Sequence, residues 1–511
     1  MRNLRITETN RNQACEPARH HKINGGLTAK TILSFVTILS FILVGCSTSN
    51  VPYRRSLPVP NNISPADINR PADQPVIDPV KAFTIETNEN FKIGYVEFDD
   101  QGWFWAHQQW EDVKSQIAED DADSTNGLTI VVFVHGWKNN ADYADTNVQM
   151  FHTVLADLSR QISPRKVFGV YVGWRGWSVK SDYFPIPAGE ELSFYHRKDV
   201  AARIGHQGSA TQMFTELEMM KDDFNDTNLI KSIPRTELVI IGHSFGGQLV
   251  YSAVSQVLTE RLLMTTRHKE KPLQSFGDLV ILVNPAFEAS LYNNLISLAT
   301  SDEITYPTNQ RPALAIFESK GDTANGFWFP LGRHLSTWYE KTRPSKGPDE
   351  EWLFNVRKRQ TADEENAILT TVGFDKEYIT YDLNYTNYGT NFPFSAYSYS
   401  GGTNSKDTLS PQNALATNSV ASDPASMLPY IFTDSLNNTN FACILQPRTN
   451  TNDYRYKPRN PFLNVAVDTQ IMRDHNDIDN PIFLRFLRDF ILFTLTNSPN
   501  EYLDHPLNDR R

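Results

Sequence analysis

Leu238-Val239-Ile240-Ile241-Gly242-His243-Ser244-Phe245-Gly246 is the stretch that decides how this chain of 511 residues is read. Four apolar residues of strand type run into G-x-S-x-G. Beyond it Val250, Ala253, Val254, Val257 and Leu258 recur at helical spacing. A strand that turns tightly into a helix lifts the serine to the edge of a sheet. It also aims the free N–H groups and positive end of the helix at that serine. The flanking glycines suit a turn too tight for a Cβ on either side. Ser244 is therefore the candidate nucleophile. A small-residue turn without chemistry is the plainer reading, and the strand before and helix after weigh against it.

Working outward, the same alternation continues. Residues 91–98 read as a strand and 103–117 as partly helical. Leu128–Val134 (LTIVVFV) is an unbroken apolar run, typical of a strand covered on both faces of a parallel sheet. Residues 148–162 read as a helix with Met150, Phe151, Val154, Leu155 and Leu158 on one face. Strands are expected at 167–172, 278–283, 313–317 and 462–467, with a long helical stretch over 192–224. A last helix, 481–495, has Pro481 in its first turn and a core stripe of Ile482, Phe483, Phe486, Leu487 and Phe490. This predicts an α/β fold, a mostly parallel sheet flanked by helices with right-handed crossovers. The expected core covers 81–330 and 460–511. Residues 331–459, rich in Asn, Tyr, Ser, Thr and Pro, break the rhythm and read as a large insertion or cap before the last strand.

The N-terminus is of another kind. Residues 1–45 hold six Lys/Arg and two Asp/Glu, leaving 42 basic against 57 acidic residues in the rest, a net charge of −15. Such an acid surplus offers no basic face to phosphates, which argues against nucleic acid, and no attraction to anionic lipid. Thr31–Gly45 is uncharged and apolar, too short to span a bilayer and suited to a signal-peptide core. It ends in Leu43-Val44-Gly45-Cys46, which resembles a bacterial lipobox. That resemblance implies cleavage before Cys46, lipid on its thiol and new amine, and a place at the cell envelope, in the outer membrane if the cell is Gram-negative. More than one acyl chain gives a stable anchor. Residues 46–80, with seven prolines in 47–80, read as an extended tether. Of the three cysteines, Cys15, Cys46 and Cys443, only the last remains unaccounted for, so no disulfide is expected.

The motifs together resemble the α/β-hydrolase superfamily, specifically its bacterial esterases and lipases, over residues 91–330 and 460–495. The second element of the resemblance, after the elbow around Ser244, is His135-Gly136-Trp137, directly after the strand 128–134. It implies an oxyanion hole made by the backbone N–H groups of Trp137 and Phe245. The family order of serine, acid and histidine implies Asp322, in the turn after the strand 313–317, as the acid and His475, after the last strand, as the base. Glu318, nearer the strand end, and Glu288, one strand earlier, are rival acids. His334 is a rival base with no strand between it and Asp322, and His243 inside the elbow reads as polar support.

The resemblance implies a serine hydrolase that cleaves carboxylic esters through an acyl-enzyme, without cofactor or metal. Acyl transfer, thioester or amide hydrolysis on the same residues, and a non-catalytic envelope scaffold, are the alternatives. Gly326-Phe327-Trp328-Phe329-Pro330 reads as a lid, a membrane-facing patch or ordinary core, and Trp174-Arg175-Gly176-Trp177 as a weak candidate for the site lining. Asp474–Asp479 alternates oxygen side chains but lacks the glycine and distal glutamate of a calcium loop.

Overall fold

Every one of the seven residues of strand β3 (Leu128–Val134) is buried, and they divide between two cores. Ile130, Val132 and Val134 join one hydrophobic cluster while Val131 and Phe133 join the other. Strand β5 (Glu237–His243) does the same with Leu238 and Ile240 against Val239 and Ile241. An unbroken apolar run is what a strand needs when helices cover both of its faces. The computed structural model describes residues 52–54, 83–176, 188–206, 208–265, 271–307, 309–336, 366–387, 398–399, 430–433, 441–448 and 457–496. The signal segment 1–45, Cys46 and most of the tether 46–80 lie outside the described residues.

A single sheet runs in the order β1-β2-β4-β3-β5-β6-β7-β12-β8-β11-β10-β9. Its centre is parallel from β2 (Phe91–Phe98) through β4 (Lys166–Trp174), β3, β5, β6 (Leu279–Val283) and β7 (Leu314–Ser319) to β12 (Phe462–Val467). A short β1 (Ile85–Thr87) pairs antiparallel with β2. One face carries α1 (His107–Ala122), α3 (Ala188–His206), α4 (Ser209–Lys231), α5 (Phe245–Thr265) and α6 (Ala289–Ala299). The other carries α2 (Thr146–Ile162) and, after the short α7 (Phe329–Ser336), the C-terminal α8 (Pro481–Thr496). The strand–helix alternation is that of an α/β-hydrolase fold. The single helix expected over 192–224 is two, separated around Gly208, whose φ of 104° is one that glycine adopts without penalty.

Residues 331–459, the expected insertion or cap before the last strand, contain strands among their described residues. Strand β8 (Tyr381–Asn387) pairs in parallel with β12, and β11 (Phe441–Pro447), β10 (Tyr430–Thr433) and β9 (Ser398–Tyr399) extend the edge. In β8 apolar and polar residues alternate, with Tyr381 and Leu383 buried, so that strand has no continuous apolar run to reveal it. Residues 52–54, expected within the tether, are docked. The amides of Tyr53 and Arg54 donate to the Glu97 carboxylate at 2.9 and 2.8 Å. Arg54 Nε donates to the Ala141 carbonyl at 2.7 Å, and its guanidinium lies 3.5 Å from the centre of the Tyr95 ring.

Candidate active site

Strand β5 ends at His243, and the next residue, Ser244, has φ of 55°, in the left-handed region that costs a non-glycine residue of order 1–3 kcal/mol. The surroundings hold it there. Its N–H donates to the Val283 carbonyl of β6 at 2.9 Å, and its own carbonyl accepts from Gln248 and Ala286, each at 3.2 Å. The glycine after Phe245 is required by contact: a Cβ on Gly246 would lie 2.2 Å from the Val134 carbonyl oxygen. The turn after β3 presses equally close, since a Cβ on Gly136 would lie 2.8 Å from Ser244 Cβ.

Two loops from the far side of the sheet meet this serine. His475 Nε2 is 2.8 Å from Ser244 Oγ, and its Nδ1 is 2.5 Å from Asp322 Oδ2. Asp322 Oδ1 in turn accepts the Asn325 amide at 2.9 Å. The loop carrying His475 is fixed through its backbone. His243 Nε2 and Asn284 Nδ2 both donate to the His475 carbonyl, at 3.0 and 2.9 Å. Asn284 Oδ1 accepts the Ser319 amide at 2.9 Å, so one side chain ties the end of β7 to the histidine loop. Within that loop the Asp474 and Asp477 carboxylates accept the Asn476 and Arg473 amides.

Burial sets the charges. Ser244 is 1 % exposed, and the side chains of His475 and Asp322 are 15 % and 0 % exposed. Burial opposes the charge on Asp322, but the facing His475 ring and its hydrogen bonds hold the carboxyl below its ordinary range. Burial pushes the His243 ring down to about 3, with the nearby His475 adding to the effect, so His243 is neutral. Having donated through Nε2, it keeps a lone pair on Nδ1, but Ser244 Oγ bonds to His475 and not to His243.

The amides of Trp137 and Phe245 have no acceptor among the described residues, and Phe245 opens α5, where a helix leaves its first N–H groups free. His135 supports that turn. Its ring stacks on Trp174 with centroids 5.6 Å apart and 5° between planes, Trp174 N donates to His135 Nε2 at 3.0 Å, and burial lowers the ring to about 4. Trp174 is therefore buried behind the turn and does not line the site, while Trp177 lies outside the described residues. Phe194 of α3 packs against Phe245 and Trp137, with centroids 4.7 and 5.2 Å away.

The rivals fall elsewhere. Glu288 pairs with Lys198 at 2.8 Å and Arg333 at 2.9 Å. His334 is on α7. Glu318 lies beside Asp322 without contacting His475. In the aromatic run, Phe327 and Trp328 are 60 % and 52 % exposed while Phe329 is buried. Asn284 and Asn325 were not singled out by sequence reasoning. The available signal for Asn284 was a polar residue followed by proline at the end of an otherwise apolar strand; Asn325 offered none.

Residues 111–327 match the family described as alpha/beta hydrolase of unknown function (DUF900). The match includes Ser244 and Asp322 and ends before His475. Among solved structures, a Trichoderma reesei cutinase in complex with a C11Y4 phosphonate inhibitor is similar at 12 % identity and a TM-score of 0.17, covering 42 % of this chain and 74 % of that one, a likeness too slight to bear on function. No curated protein matches the chain.

Proposed function

We propose that this chain, whose residues 111–327 match an alpha/beta hydrolase family, is a serine hydrolase cleaving carboxylic esters through Ser244, His475 and Asp322. The observation that carries this reading is the unbroken hydrogen-bond chain from Ser244 Oγ through both ring nitrogens of His475 to Asp322. A serine hydroxyl is a poor nucleophile until a base takes its proton, and the base works best when a carboxylate fixes its tautomer. With Asp322 accepting from Nδ1–H, Nε2 is left free to accept the Ser244 proton. Oγ then attacks the ester carbonyl, and the carbonyl oxygen becomes an oxyanion. The free amides of Trp137 and Phe245 are the donors for that charge, each worth on the order of 10²–10³ in rate. His475 passes its proton to the departing alcohol, leaving an acyl-Ser244. Water, deprotonated by His475, then releases the acid.

The experiment is reaction of the full chain with a fluorophosphonate, the adduct located by mass spectrometry. An adduct on Ser244 that is lost in His475→Ala and slowed by several orders of magnitude in Asp322→Asn is expected. A folded protein that takes no label refutes the reading. Esters, thioesters and amides of one acyl chain, assayed side by side, then identify the bond cleaved. We also propose that Cys46 carries the lipid that holds the enzyme at the cell envelope. Incorporation of a fatty-acid label that persists in Cys46→Ser would refute that assignment.

A further inference from the structure

Glu318, the penultimate residue of β7, is 2 % exposed, and among the described residues no cation pairs with it. It lies four positions before Asp322, and the two carboxyl groups are within hydrogen-bond reach of each other. Asn325 bridges them: its Nδ2 donates to Glu318 Oε1 at 3.1 Å, and its backbone N–H donates to Asp322 Oδ1 at 2.9 Å. The turn at 371–375 closes the remaining side. A Cβ on Gly373 would stand 2.4 Å from Glu318 Oε2, which leaves no room for solvent there. Of the groups packed around Glu318, Asp322 is the one that carries charge, with His475 behind it; Asn325 and the backbone at 373 carry none.

Two carboxyl groups in one dry site do not both ionise. His475 faces Asp322 and favours the charge there, so the proton belongs to Glu318. We propose that Glu318 is a positioning residue, held as a neutral acid whose O–H donates to the Asp322 carboxylate while its C=O accepts from Asn325. Burial and the Asp322 charge both push Glu318 well above the ordinary carboxylate range, in keeping with that assignment. The O–H bond has two effects. It holds Asp322 in the rotamer that meets His475 Nδ1, and it withdraws electron density from Asp322, so that the carboxylate orients the imidazole without taking its proton. This inference rests on the Ser244–His475–Asp322 reading above.

The test compares Glu318→Gln and Glu318→Leu with the wild-type full chain, by the fluorophosphonate labelling rate across pH and by infrared spectroscopy. Gln reproduces both bonds of the neutral acid, accepting from Asn325 and donating to Asp322. It is expected to label within about threefold of wild type with the acid limb of the profile unmoved. Leu removes the donor, leaves Asp322 more basic and strengthens its hold on the imidazolium. Labelling is expected to slow on the order of tenfold, and the acid limb to move up by about one pH unit. A Gln variant whose acid limb moves to lower pH, as loss of a negative charge would cause, overturns the proposal. So does a Leu variant indistinguishable from wild type. Independently of turnover and of how Glu318→Leu folds, the wild type is expected to show the C=O stretch of a protonated carboxylic acid that Glu318→Gln lacks. Absence of that band in the wild type overturns the neutral acid at Glu318. A band present without any labelling overturns the triad reading instead.

Discussion

Gly136→Ala is the sharpest perturbation of this site, because its effect follows from distances alone. The added methyl would lie 2.8 Å from Ser244 Cβ, 2.9 Å from His243 Nδ1 and 3.1 Å from the His243 carbonyl oxygen. Carbon–carbon contact begins near roughly 3.5 Å, so the turn after β3 and the elbow must part by about 0.7 Å. Neither side yields easily: Ser244 is pinned through its N–H to Val283, and Gly246 already touches the backbone of Val134. The separation displaces Oγ from His475 Nε2 and the Trp137 amide from the Phe245 amide at once. A misplacement of about 1 Å costs up to about 10²-fold in rate, so a labelling rate lower by 10- to 100-fold is expected. The stability cost is that of overpacking, about 1–3 kcal/mol. Fluorophosphonate labelling of the folded fraction, beside urea unfolding, separates the two effects. Gly94→Ala is the control: its methyl would lie 2.6 Å from Val113 Cγ2, between β2 and α1, and so destabilises the fold without touching the serine. If Gly136→Ala labels as fast as Gly94→Ala, the contact between the two turns does not set the nucleophile's position, and the reasoning fails.

Asn284→Ala removes the donor to the His475 carbonyl, leaves the buried Ser319 amide without its acceptor, and places alanine at a φ of 44°. An unsatisfied buried amide and the left-handed backbone together cost about 2–4 kcal/mol, and urea unfolding that shows less than about 1 kcal/mol would dismiss Asn284 as the link between β7 and the histidine loop. Asp382 joins the extra strands to the centre of the sheet, accepting from Arg448 at 2.6 Å and facing Lys320 at 3.1 Å. Burial opposes its charge, but those two cations hold its carboxyl below the ordinary range. The stabilisation is therefore present above the ordinary carboxylate pKa and lost as pH falls through the lowered one. Asp382→Asn is expected to be less stable by about 1 kcal/mol at neutral pH, discounted for solvent, with the difference vanishing in strong acid. A deficit that stays constant with pH would mean that packing, not charge, joins β8 to β11.

What was legible in the sequence follows from which signals are local. The parallel centre announces itself because a strand covered on both faces must be apolar over most of its length, as β3, β5 and β6 are. The elbow announces itself because Gly246 and the turn at Gly136 are demanded by backbone approach, and such demands admit one residue type. The added strand β8 did not, since YDLNYTN alternates polar and apolar residues and reads as polar loop. The support of the site was the least legible part. Asn284, Asn325 and Glu318 lie on three segments and acquire their roles when β6, β7 and the turn at 371–375 come together in space. Each is a buried polar group, and a buried polar group is tolerated only with partners. The partners of these three are the backbone of the histidine loop, Asp322 and one another. A protein without chemistry at Ser244 has no need of that arrangement: apolar side chains of similar size would hold the same strand ends together without the cost of dehydrating amides and carboxyls. The polar network around Asp322 and His475 is thus an argument for catalysis independent of the serine motif itself.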